Sequence, residues 1–226
     1  MQLTYYGHSC FLLDTGSHQI LFDPFIRGNE LAKHIHVDEI SPDFICLSHA
    51  HQDHMADCEE IANRSGALVI CNWEIHEWLN KKGMTNTHPM NMGGWRQFGF
   101  GRLRCVAALH SSMLPDGSNG GNPMGFVLEI ADKKLYYAGD TALTMDMKLV
   151  GEYWKPDIAL LPLGGNFTMD VEDALLCSDF IQCNTIVGMH FDTFGYIVMD
   201  KSAAAKAFAD RHKTLHLMHI GKTRDI

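Results

Sequence analysis

Short apolar runs, many of them alternating, open the chain. Leu3–Tyr6, Cys10–Leu13 and Gln19–Phe22 read as strands, with Asp14-Thr15-Gly16-Ser17 as a hairpin turn. Asp43–Leu47 is a compact apolar run and predicts a buried strand. Met55–Ser65 has helical periodicity closed by Gly66, and Ala67–Cys71 is again a strand. Asn72 stands as the N-cap of a helix reaching Lys82 and stopped by Gly83. A β meander follows over Trp95–Phe100, Leu103–Leu109, Phe126–Ile130 and Lys134–Ala138, the last pair turned at Asp132-Lys133. Beyond it, helices at Ala142–Tyr153, Val171–Cys183 and Lys201–Arg211 alternate with strands at Ile158–Leu161, Thr185–Met189 and Leu215–Met218. The two halves resemble each other, each a sheet with helices on its outer face. The pattern therefore predicts an α/β protein of two sheets packed face to face with helices outside.

Composition narrows the picture. The 226 residues are 46% hydrophobic and 20% charged, the make-up of a folded globular chain. No linker or low-complexity stretch divides it, so a single domain over residues 1–226 is expected. Lys and Arg total 18 against 27 Asp and Glu, a net charge of −9. That balance opposes a nucleic-acid or anionic-membrane surface, which needs a basic patch. No apolar run approaches a membrane span, and the N-terminus lacks a secretory pattern. The seven cysteines are scattered with no C-x-x-C, so they read as reduced buried thiols of a cytoplasmic protein.

The 14 histidines carry the chemistry. Ser48-His49-Ala50-His51-Gln52-Asp53-His54 follows a buried strand. On extended backbone, residues two apart point the same way, so His49 and His51 converge on one ion. Asp53 and His54 fall where the chain turns into a helix and face a second ion. Three further ligand types stand just beyond apolar strands: His110, Asp140 and His190. Together they make five His and two Asp, enough for two metals with a carboxylate bridge. Nitrogen and oxygen donors suit Zn²⁺ best, with Mn²⁺, Fe²⁺ or Ni²⁺ as alternatives. Two such ions hold a bridging hydroxide at neutral pH, so no Ser or Cys nucleophile is needed.

These strings resemble the metallo-β-lactamase superfamily, whose pattern is H-x-H-x-D-H followed by a distant His, Asp and His. Closer still are the small bacterial metal-dependent hydrolases related to ascorbate-6-phosphate lactonase. The matches run from Gly7-His8-Ser9 and Phe22-Asp23-Pro24-Phe25 through the His-rich turn. They continue at Thr87-His88-Pro89-Met90, Ala138-Gly139-Asp140-Thr141-Ala142, Asn166-Phe167-Thr168-Met169 and Met189-His190-Phe191. The resemblance implies an αββα sandwich of two mixed sheets with the metals at one edge. It assigns His49, His51 and His110 to the first metal, Asp53, His54 and His190 to the second, and Asp140 to the bridge. Two positions depart from it. Asp170-Val171 replaces Gly-Pro, although Asp170 can cap the next helix with Asp173 at its third position. Asp192 replaces Asn, and a carboxylate touching substrate there would disfavour an anion.

Around this set, Asp23 either forms an Asp-Pro turn or accepts the second ring N–H of a ligand histidine. His8 is expected to make a polar contact in the active site, since its motif lies near the metals in such proteins. Ser111, Asn122 and Asn166 are either cleft-lining or ordinary loop residues, Asn166 being the substrate candidate. The remaining histidines read as structural or solvated, His76 among the solvated ones. The reading is a hydrolase of a small-molecule ester, lactone or amide, with Asp53 relaying a proton to the leaving group. A metal-dependent phosphodiesterase is the alternative. Its nuclease form needs an added domain and a basic face. Glyoxalase-type thioesterases carry a helical C-terminal domain, for which the residues after His190 leave no room. The partner is a small molecule, with no nucleic acid and no membrane. Relatives commonly assemble, so a homo-oligomer is expected.

Overall fold

The computed structural model describes residues 1–226. In chain order the first elements are β1 (Gln2–Gly7), β2 (Cys10–Asp14), β3 (Gln19–Phe22), β4 (Phe44–Cys46), α1 (Gln52–Met55), α2 (Cys58–Ser65), β5 (Leu68–Cys71), α3 (Trp73–Lys81) and β6 (Thr87–Pro89). There follow β7 (Arg96–Phe98), β8 (Gly101–Ala107), β9 (Met124–Ile130), β10 (Lys133–Tyr137), α4 (Met147–Leu149), β11 (Ile158–Pro162), α5 (Val171–Phe180) and β12 (Thr185–Met189). The chain ends with α6 (Lys201–Asp210), β13 (Thr214–His216) and β14 (Thr223–Asp225). These form two compact units. The first holds Met1–Asn91, Ser111–Pro123 and His219–Ile226, and the second Met92–His110 and Met124–Met218. No helix is long and apolar enough to cross a membrane.

The sheet of the first unit runs β14-β1-β2-β3-β4-β5-β6. Its opening strands pair antiparallel through short turns, while β3 to β6 are parallel. Parallel strands need crossovers, and α2 and α3 are those between β4, β5 and β6. Ile45, Cys46, Val69, Ile70 and Cys71 are fully buried, so β4 and β5 read as continuous apolar runs rather than alternating ones. Ile61 of α2 and Ile75 and Leu79 of α3 close the core with Leu21, Leu47, Val69 and Ala50. Ile75 and Leu79 lie one turn apart, so a single stripe of α3 is apolar.

The second sheet, β13-β12-β11-β10-β9-β8-β7, is also mixed. The β7–β10 meander is antiparallel, and β10 to β13 are parallel. Every residue of β11 is buried. Helix α5 packs on β11 and α6 on β13, burying Ala174, Cys177, Ala204 and Phe208.

The expected α/β class with two mixed, helix-flanked sheets is what forms. Four local departures have physical causes. The helix expected over Met55–Ser65 is two pieces broken at Ala56-Asp57. Asp57 does not cap its own helix, because its Oδ2 accepts the amides of Ile26 and Arg27 at 2.5 and 3.0 Å. Helix begins only at Met147 rather than Ala142, because the segment after Asp140 is held extended by Ala142 N–H to Leu109 O, 3.0 Å. It ends in a wide turn closed by Lys155 N–H to Val150 O. Strands β6 and β14 carry too few apolar residues to show in the pattern and exist through pairing with β5 and β1. All seven cysteines are buried and none forms a disulfide. Burial pushes Cys105 up to about 12 and Cys183 to about 11, so both thiols are held in the protonated form at neutral pH.

Candidate metal centre

In the first unit, β4 delivers the chain into Ser48, His49, Ala50 and His51, and α1 begins at Gln52. Beneath that turn lies Asp23, fully buried at the end of β3. Its Oδ1 accepts the Ser48 amide at 2.7 Å. Its Oδ2 accepts the Ser48 hydroxyl at 2.6 Å and stands 2.9 Å from His54 Nδ1. Ser48 Oγ is in turn 2.9 Å from His49 Nδ1. A carboxylate only accepts, which fixes the proton order. Ser48 gives its proton to Asp23, so its oxygen accepts from His49 Nδ1–H. His54 Nδ1–H also donates to Asp23. Both imidazoles are thereby held as Nδ1–H tautomers with the lone pair on Nε2, the form a metal needs.

His49 Nε2 lies 2.9 Å from His51 Nδ1, and His51 Nε2 lies 3.4 Å from Ser111 Oγ. Two ring nitrogens that close need a shared proton or cation between them. Their spacing is near the roughly 3.3 Å edge of a tetrahedron with zinc–nitrogen bonds of about 2.0–2.1 Å. Asp53 Oδ2 is 3.1 Å from His8 Nε2 and 3.9 Å from His54 Nε2. Asp53 is the more accessible of this group, its side chain 28% exposed.

The second unit brings together His110, Asp140 and His190. One oxygen, Asp140 Oδ2, stands 2.9 Å from His190 Nε2 and 3.6 Å from His110 Nε2. Asp140 and His190 are buried. The Leu109 amide donates to Thr141 Oγ1 at 3.0 Å, locking the residue before His110 to the residue after Asp140. A single carboxylate oxygen facing two imidazoles is a donor set suited to a divalent ion.

Four of the candidates share an unusual backbone. His8, Asp23, Asn166 and His190 have φ of 54°, 40°, 58° and 54°. Left-handed geometry costs a non-glycine residue about 1–3 kcal/mol and persists where the surroundings over-determine it, often at functional sites. Of the four, Asn166 stands apart. It is the exposed tip of the 164–169 loop and makes no side-chain hydrogen bond, while the loop's ends are tied to the ligand segments by Met169 N–H to Thr141 O, 2.9 Å, and by the close approach of Gly164 to His190 O. Asp192 is held by Lys201 Nζ at 2.7 Å and by the Met199 amide at 3.2 Å, so its charge is matched. Asp170 caps α5 by accepting the Asp173 amide, as expected. His76 is not solvated: it is half-buried with Nδ1 2.7 Å from Thr87 Oγ1.

The pattern along the chain gave no role to Ser48 or Ser112, and it marked Asn72 only as the N-cap of α3. Ser112 Oγ accepts the Ala50 amide, between the two histidines of the H-x-H. Asn72 caps α3 and also donates to Gly120 O and Asn122 O, pinning the 111–123 loop to the helix start. Ser48 was visible as a hydroxyl beside the first histidine. The other two act across long sequence separations that no local pattern encodes.

Comparison with known proteins agrees with this geometry. Residues 2–190 match the model of the beta-lactamase superfamily domain. The chain belongs to that superfamily. It is 49% identical over its whole length to a UPF0173 metal-dependent hydrolase of Flavobacterium johnsoniae, covering all of that protein too. Among solved structures it is similar to Igni18, a metallo hydrolase of Ignicoccus hospitalis, at 33% identity and a TM-score of 0.89, covering 99% of this chain and 97% of that one. The metallo-β-lactamase fold protein YhfI of Bacillus subtilis superposes with a TM-score of 0.75 at 13% identity, covering 99% and 98%, and shares the fold. The chain is therefore an enzyme of the metal-dependent hydrolase class, built on the α/β fold of this superfamily.

Proposed function

We propose that the chain hydrolyses a small-molecule ester, lactone or amide with two divalent ions, Zn²⁺ being the best match to the donors. His49, His51 and His110 would hold the first, Asp53, His54 and His190 the second, and Asp140 would bridge them. The two units would then work as one catalytic domain over residues 1–226, because each carries only part of the set. The observation that carries this reading is the buried Asp23–Ser48 pair, which holds His49 and His54 in the metal-binding tautomer.

When bound, such ions supply a water of lowered pKa and polarise the substrate oxygen. The rest belongs to the chain. Asp23 and Ser48 orient the imidazoles before substrate arrives, so no reorganisation is needed during reaction. In this reading Asp53, partly open to solvent, would pass a proton to the leaving group. Asp192 carries a matched charge and does not oppose an anionic substrate group. The acidic net charge disfavours nucleic acid and anionic membrane as partners. Self-association and a cytoplasmic location complete the proposal.

The test is elemental mass spectrometry of protein purified without added metal, for the wild type and for His110→Ala, Asp140→Ala and His190→Ala. About two ions per chain in the wild type, with partial loss in each variant, is the expected result and leads to assays on lactones, esters, amides and phosphodiesters. Substoichiometric metal that ignores the substitutions would sink the assignment.

A further inference from the structure

We infer that His8 is a positioning residue. Its Nε2–H holds Oδ2 of Asp53 and so fixes how that carboxylate is presented beside His54. The inference rests on the proposed ligand role of Asp53.

The argument begins in the strand. β1 pairs with β2 as Tyr5↔Phe11 and then Gly7↔Cys10, so β1 spends two residues where β2 spends one. Tyr6 is the extra residue of a bulge, a device that re-aims the side chains beyond it. Gly7 follows at φ 103°, where a Cβ would meet Asn29 Nδ2 at 2.6 Å and Ile220 Cδ1 at 3.0 Å. His8 then turns left-handed at φ 54°, its carbonyl accepting the Tyr5 hydroxyl at 3.2 Å. Tyr5 itself stacks on Phe11 with centroids 4.7 Å apart. Bulge, glycine and left-handed turn together carry the imidazole out of the strand's alternation and into the interior, where its side chain is 0% exposed.

There the ring is wedged edge-on against Phe25, 5.7 Å between centroids, and against His54, 5.3 Å. Nε2 stands 3.1 Å from Asp53 Oδ2. A carboxylate cannot donate, so the proton on that bond sits on His8 Nε2. A ring with Nε2 protonated is not offering that nitrogen to a metal. This separates His8 from His54, whose Nδ1 carries the proton and whose Nε2 keeps its lone pair. Both rings lie by the same carboxylate with opposite tautomers, one to orient Asp53 and one to ligate. Asp53 starts a short helix and is partly exposed, and the bond from His8 Nε2–H fixes the orientation of its carboxylate.

The test has two readouts. The first needs no metal. In chelator-stripped protein, nitrogen–proton correlation spectra of the imidazoles should show His8 as the Nε2–H tautomer, and Asp53→Ala should return it to an exchanging mixture. An Nδ1–H tautomer for His8 would overturn the proposal, because Nε2 would then be a ligand atom. The second is Zn²⁺ affinity by competition with a chromophoric chelator, for His8→Phe, His8→Gln and His8→Asp. Phe keeps the ring packing but has no donor, and should weaken one of the two sites about 10–100-fold, the usual effect of removing a partner behind a metal ligand. Gln restores a donor and should recover much of the loss. Wild-type affinity in His8→Phe would overturn the proposal, as would rescue by Asp but not Gln, which would make His8 a ligand. A wild type that binds fewer than two ions would instead sink the dinuclear reading, while the tautomer measurement would still decide the role of His8.

Discussion

Ser48 is the residue on which the first unit's ligand geometry turns. One hydroxyl donates to Asp23 and accepts from His49, so removing it breaks two contacts. Ser48→Ala leaves a fully buried carboxylate one donor short, a defect of about 1–3 kcal/mol in stability. It also frees His49 to adopt the other tautomer, which should lower metal affinity about 10–100-fold. Urea unfolding of the chelated protein reads the first effect and chelator competition the second. Loss of stability with unchanged metal affinity would mean that Ser48 packs the turn without orienting the histidine. All the seven ligand candidates were legible because the chemistry limits ligands to a few residue types placed just past apolar strands. Ser48 and Ser112 were not, since hydroxyls are common in loops and only their three-dimensional neighbours distinguish them.

At the scale of elements, the 111–123 loop, whose Ser112 accepts the Ala50 amide, is fixed to α3. Asn72 caps the helix through the Ile75 amide and also holds two carbonyls of the loop. Asn72→Ala should therefore cost more than the ~1 kcal/mol of an ordinary cap, and amide exchange should rise across 111–123 as well as in the first turn of α3. Protection lost only in α3 would show that the loop holds itself. The far end of the loop is held by Asp116, whose carboxyl lies below its ordinary value because the Ser118 hydroxyl and amide and the Trp78 indole N–H donate to it. A depressed carboxyl stabilises the fold at pH above its ordinary value of 3.8 and loses that contribution as pH falls through the lowered one. The Trp78 indole N–H resonance should therefore stay fixed from neutrality down to about pH 4 and shift only in more acid solution, while in Asp116→Ala it should be shifted throughout. The sequence showed α3 and its cap clearly, since the cap residue, the apolar stripe and Gly83 agree. It did not show the break at Asp57, because the 24–27 loop that takes that side chain is distant in the chain. It did not show β14 either, whose three residues are all exposed and are a strand only by virtue of β1.

For the molecule as a whole, the proposed metal binding would add to the free energy of folding. An ion that binds only the folded state adds RT ln(1 + [L]/Kd), about 2.7 kcal/mol at a hundred times Kd. For a chain of this size 1 kcal/mol moves the midpoint by roughly 2–4 °C, so chelation should lower Tm by about 5–10 °C per ion. The ligand candidates are divided, with His49, His51, Asp53 and His54 in the first unit and His110, Asp140 and His190 in the second. If the two groups bind the same ions, losing one histidine from either unit removes part of a shared site. His49→Ala and His190→Ala should then each abolish most of one ion's increment, and the double variant should lose little beyond what the two sites held. If each unit binds metal on its own, His190→Ala would leave the first unit's increment whole, and scanning calorimetry would resolve two transitions that respond to metal separately. A single transition, shifted by metal in the wild type and insensitive to it in the double variant, is the outcome expected of one catalytic domain.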